Sequence, residues 1–147
     1  MNILGLDYGH KRIGLSYADS SIGVAVPIQA ANEATFQDRL EHIAREIKMR
    51  SINRLVVGYP LNMDGSVSEK AKEVDEFIAM ISEKFSIEVV KVDERLSSYQ
   101  AESDMIAFSP KKSKNLAARK KSRRTGEVDS RASALFLQEY LDTGETL

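Results

Sequence analysis

The 147-residue chain predicts an α/β domain on a mixed five-stranded sheet, three strands antiparallel and then two parallel, flanked by helices. Three observations carry this. Three strand-like runs follow one another at the N-terminus, which implies an antiparallel meander. From Thr35 the pattern becomes helix, strand, helix, strand, helix, the order of parallel strands joined by crossovers. The length suits a single domain, residues 1–147, large enough to bury a core without staples.

The first apolar run, Ile3 to Leu6, ends at Asp7 and is followed by a Gly9-His10-Lys11 turn, Arg12, Gly14 and a second run to Asp19. Gly9 is expected to supply a positive φ there. Period-two alternation places Ile3, Gly5 and Asp7 on one face and Leu4, Leu6 and Tyr8 on the other. Ile22 to Ala31 reads as a third strand, in which Pro27 marks an edge, a bend or an end. Thr35 and Asp38 resemble a capping box ahead of a stripe of Phe36, Leu40, Ile43, Ala44 and Ile47. His42 lies beside that stripe, reads as a surface or boundary residue and is given no role.

Arg54 to Tyr59 has the character of a buried strand and opens into a turn at Asp64-Gly65. Ser66 and Glu69 read as a second capping box before Val67, Ala71, Val74, Phe77, Ile78 and Ile81, a stripe that runs to about Phe85. Ile87 to Val92 forms the next strand and ends in Asp93-Glu94-Arg95, after which Ser97 and Gln100 cap a helix carrying Ala101 and Met105. The stretch from Pro110 to Thr125 has no hydrophobic period and reads as a mobile loop, and Glu127 to Asp142 closes the chain as a helix.

The absence of cysteine excludes disulfides, thiolate metal sites and a cysteine nucleophile, and it fits a reducing cytoplasm. No apolar segment approaches the roughly 20 residues that span a bilayer, so a soluble cytoplasmic protein without a membrane partner is expected. The net charge of −1 conceals an asymmetry. Eight of the 21 basic residues lie between Pro110 and Thr125 with no acid among them, leaving 13 bases against 22 acids elsewhere, a net of −9. An acidic body with one cationic strip suits a polyanion met at one place, and Lys111, Lys112, Lys120, Lys121, Arg123 and Arg124 are its candidate nucleic-acid contacts. A solvated charge run is the rival reading.

Three acids stand at comparable points: Asp7 and Glu94 at strand ends, and Asp129 at the start of the last helix, on or beside its core face. Strand ends of a mixed sheet meet in a crevice that a helix start closes. Carboxylates without cysteine or clustered histidine select Mg2+ or Mn2+, cations that promote hydrolysis of phosphodiesters. Simpler readings are a strand-end aspartate in a turn for Asp7 and a helix-dipole acid for Asp129. Asp93 is the uncertain fourth acid, because adjacent strand residues face opposite ways.

Four motifs, LDYGHKRIG, VVGYPLNMDGS (Val56 to Ser66), VDERLSSYQA (Val92 to Ala101) and VDSRASALFLQEYLD (Val128 to Asp142), resemble the YqgF family of bacterial pre-16S rRNA nucleases, also described as Holliday junction resolvase-like. The resemblance spans nearly the whole chain and implies a ribonuclease H fold. It implies that Asp7, Glu94 and Asp129 are the metal-binding catalytic acids. Arg12 and Arg95 then contact phosphate or hold the acids, and the substrate is the 5′ end of precursor 16S rRNA or branched DNA. His10, where the family more often has a small hydroxyl residue, and a longer cationic segment are departures. The rival classes are an actin-like ATP-handling protein, which needs a second domain this length does not provide, and a nucleic-acid-binding module without catalysis. A monomer or weak homodimer is expected; a cutter of branched DNA calls for a two-fold dimer.

Overall fold

The computed structural model describes residues 1–95 and 127–147. Its elements are β1 (Asn2–Tyr8), β2 (Ile13–Asp19), β3 (Val24–Ala31), α1 (Phe36–Met49), β4 (Arg54–Tyr59), α2 (Glu69–Phe85), β5 (Glu88–Asp93) and α3 (Glu127–Thr143). The sheet order is β3-β2-β1-β4-β5, with β1, β2 and β3 paired antiparallel and β1, β4 and β5 parallel. This is the expected mixed sheet. The helix expected after Ser97 and the basic segment lie outside the described residues.

Strand alternation sorts the core as the sequence predicts. Leu4 and Leu6 join Leu55, Val57, Leu40, Ile43, Val74, Phe77 and Ile81 under α1 and α2, whereas Ile3, Val56 and Val92 meet Phe136 and Leu137 of α3 on the opposite face. The two layers bury apolar side chains on both sides of the parallel strands, which is why β4 reads as a continuous apolar run. Thr35 accepts the Asp38 N–H at 3.1 Å and caps α1 as expected. Among the described residues no helix is long and apolar enough to cross a membrane.

Four local expectations are corrected. The third strand begins at Val24, because the Asp19 carbonyl takes the N–H groups of Ile22 and Gly23 in a turn. Ser68, whose hydroxyl accepts the Ala71 N–H at 3.0 Å, caps α2 in place of Ser66. Ser66 is engaged with the Asp64 carboxylate through its N–H and hydroxyl, and Val67 is therefore exposed outside the helix. Gly9 takes no positive φ; a Cβ at this position would lie 2.8 Å from the Arg12 carbonyl oxygen, so close approach across the turn requires the glycine. His42 is buried, with Nδ1 2.7 Å from Glu33 Oε2. Beside it the buried Arg39 donates to the Glu33 carbonyl at 2.6 Å and to the His10 carbonyl at 3.2 Å, tying α1 to the β1–β2 turn.

Candidate active site

Parallel strands place their C-terminal ends along one edge of a sheet, and β1, β4 and β5 do so here. Asp7 is the penultimate residue of β1, 5% exposed, and Glu94 follows β5 directly, 8% exposed. Alternation aims both at the face that α3 covers. Between them lies Gly58 of β4, where a Cβ would come within 2.6 Å of Glu94 Oε2 and of Phe136 Cε2. Only a glycine lets the Glu94 carboxyl lie across that strand.

Asp129 arrives from the other side. Across the β1–β2 ladder Asp7 faces Gly14, and a Cβ on Gly14 would overlap the backbone of Asp129 and lie 2.7 Å from its Cβ. The first turn of α3 thus rests on the gap in β2 beside Asp7. Arg12 Nε stands 3.6 Å from Asp129 Oδ2.

The electrostatics follow from this crowding. Burial pushes the Asp7 carboxyl well above the ordinary carboxylate range, and the neighbouring charges of Glu94 and Asp129 push it further. Burial raises Glu94 as well, against the pull of the neighbouring Asp7 carboxyl, which lowers it. Asp129 is raised by burial and drawn down by Arg12 and Lys70. Lys70, exposed in the first turn of α2, acts on all three acids. Nothing in the hydrophobic pattern singles it out, and it was not among the residues expected from the sequence.

Among the described residues no group of three acidic or histidine side chains is arranged as it stands to enclose one ion. Asp129 is instead paired with Arg12. The donor set nevertheless fits a hard divalent cation. Its oxygens are carboxylates, and Glu94 Oε2 is buried with no hydrogen-bond donor among the described residues, an expense that a cation would remove. Asp93 points away from the acids and pairs with Arg95, Nη2 to Oδ2 2.7 Å. Arg95 also donates to the Met63 carbonyl at 3.2 Å, so it braces β5 against the loop after β4 and does not hold Glu94.

A family model described as "RuvX: Holliday junction resolvase" matches residues 1–143. The chain belongs to the RuvX family. This is the family resembled above under the name YqgF. A relative from Opitutus terrae, named "Putative pre-16S rRNA nuclease", is 41% identical over 97% of this RuvX chain and 92% of its own length. One of the same name from Picosynechococcus is 37% identical over 95% and 91%. Among solved structures, the Fowlpox virus resolvase in complex with Holliday junction DNA has a TM-score of 0.57 at 14% identity, covering 97% of this chain and 98% of that one. The T. thermophilus RuvC, also with a Holliday junction substrate, has a TM-score of 0.52 at 15% identity, covering 99% and 98%. At those identities the likeness establishes the ribonuclease H-like fold of the RuvX chain.

Proposed function

We propose that this RuvX-family protein is a Mg2+- or Mn2+-dependent nuclease that hydrolyses a phosphodiester of structured RNA, processing the 5′ end of precursor 16S rRNA in the cytoplasm. The observation that carries the reading is a pair of buried carboxyls at neighbouring strand ends, Asp7 and Glu94, with Asp129 set above them through the gap at Gly14. Protein stability alone gives no reason to bury such a pair. The names of the relatives, at 37–41% identity over nearly full length, support RNA as the substrate.

Asp7, Glu94 and Asp129 would hold the cation, which supplies an activated water and neutralises charge building on the phosphate. The chain's own residues do the rest. Asp7 and Glu94, both raised above the ordinary carboxylate range, would hold the cation only when ionised, so affinity would rise with pH. Arg12, beside Asp129, and Lys70 would offer positive charge to the phosphate at the mouth of the site. Arg95 keeps the β4–α2 loop in place beside it. The basic residues Lys111, Lys112, Lys120, Lys121, Arg123 and Arg124, outside the described residues, supply phosphate contacts away from the chemistry. The chain acts as one domain, as a monomer or weak homodimer.

The family description favours a second reading, resolution of branched DNA. Purified protein with Mg2+ or Mn2+, offered precursor 16S rRNA, single-stranded RNA and a four-way DNA junction, decides between them. Cleavage of the precursor, lost in Asp7→Asn, is expected. Paired symmetric cuts in the junction by a stable dimer, with the RNA intact, would replace the RNA reading, and an Asp7→Asn protein that cuts as fast as wild type would remove the site.

A further inference from the structure

Among the described residues, apolar packing does not fix the start of α3. From Glu127 to Arg131 Ser130 alone is buried, and the continuous apolar anchoring of the helix begins at Ala132. Helix ends fray unless something ties them, yet Asp129 lies in this turn. Two buried hydroxyls meet the sheet here. Ser130 Oγ accepts the Leu15 N–H at 3.2 Å, where the β2–β3 register slips by one residue between Ile13 and Leu15. One turn later Ser133 Oγ lies 2.7 Å from Ser16 Oγ, in the space left by Gly5.

We propose that Ser130 is a positioning residue: its hydroxyl pins the first turn of α3 to the backbone of β2 beside Gly14, and thereby fixes where the Asp129 carboxylate meets the Asp7–Glu94 pair. The inference rests on the reading of these acids as a metal site. A side chain that bonds one residue from Asp129, to the strand that faces Asp7, controls that carboxylate directly. Ser133, equally buried and bonded to the next residue of the same strand, secures the middle of the helix instead. The two serines therefore separate positioning from plain polar satisfaction.

The experiment compares Ser130→Ala and Ser133→Ala in the full chain by calorimetric titration with Mn2+ and by thermal melting without metal. Both variants lose a buried hydrogen bond and are expected to melt lower by similar amounts. Ser130→Ala is expected to bind Mn2+ about 10- to 100-fold more weakly, the usual effect of removing a support of a metal ligand, with Ser133→Ala close to wild type. Equal Mn2+ affinity in the two variants overturns the proposal. Ser130→Thr, which keeps the hydroxyl, carries the same test if Ser130→Ala does not fold: near wild-type binding supports positioning, and weak binding overturns it. Should the wild type bind no Mn2+, the metal reading fails by itself. Amide exchange of Leu15 and of the first two turns of α3 then judges the pin: selective acceleration in Ser130→Ala supports it, and unchanged exchange refutes it.

Discussion

The Asp7–Glu94 pair is costly in the protein without metal, and its cost has a sign that can be read against pH. In the unfolded chain an aspartate titrates near about 3.9, whereas burial and two neighbouring carboxylates raise Asp7 far above that in the fold. Its contribution to stability is therefore complete below about pH 4 and is lost as pH rises through the elevated folded value. Asp7→Asn has no charge to desolvate. In melts with chelator between pH 4 and pH 8, the variant is expected to gain on wild type steadily as pH rises, while cleavage falls below about a hundredth. A pH-independent difference would mean that the fold does not raise Asp7. Gly58 gives the steric counterpart. Gly58→Ala places a methyl 2.6 Å from both Glu94 Oε2 and Phe136 Cε2, with an expected cost of about 1–3 kcal/mol in denaturant unfolding and loss of Mn2+ binding. Gly23→Ala, where a Cβ meets nothing, is expected to leave Mn2+ binding intact despite strain at φ 82°. At this scale Asp7 and Glu94 were legible because strand ends announce themselves through apolar runs. Gly14, Gly58, Ser130 and Lys70 were not, since what they do depends on which element packs above them.

Elements were legible where one signal dominated and shifted where two local partners competed. β4 has the bounds its apolar run suggests, and α1 starts at its expected cap. At α2 both Ser66 and Ser68 were available as caps, and the Asp64 turn claimed the first. Of the edge, bend or end that Pro27 suggested, β3 is an edge, but nothing in the hydrophobic pattern foretold how that edge is closed. Gln138 of α3 accepts the Ala25 N–H at 2.9 Å and donates to the Gly23 carbonyl at 3.0 Å, occupying the groups a neighbouring strand would seek. Pro27, two residues on, offers no N–H. Exposed Ile22, Val24 and Val26 lie along the same strand or just before it, so an open edge here would invite pairing. Gln138→Ala is therefore expected to self-associate with rising concentration in sedimentation velocity, while wild type does not associate through this edge. A variant sedimenting as wild type at every concentration would show that the amide does not guard it.

On the scale of the whole molecule, the distribution of charge sets how a polyanion is met. The body outside the basic segment carries −9 and surrounds a site made of acids, so it repels phosphate at long range. On the proposed reading, attraction comes chiefly from the eight cations between Pro110 and Thr125, with Arg12 and Lys70 acting only close to the reacting bond. Binding and cleavage should accordingly come apart under mutation. Replacing Lys111, Lys112, Lys120, Lys121, Arg123 and Arg124 by alanine removes up to six phosphate contacts, which on single-stranded RNA flattens the slope of log affinity against log salt by about four. Circular dichroism and thermal melting are expected to stay near wild type, and the single-turnover rate at saturating substrate should change far less than affinity. Lys70→Ala should do the reverse, lowering that rate while changing the salt slope by about one or less. If the sixfold variant retains the wild-type slope, the segment is a solvated charge run, and the acidic body must meet its substrate through some other surface.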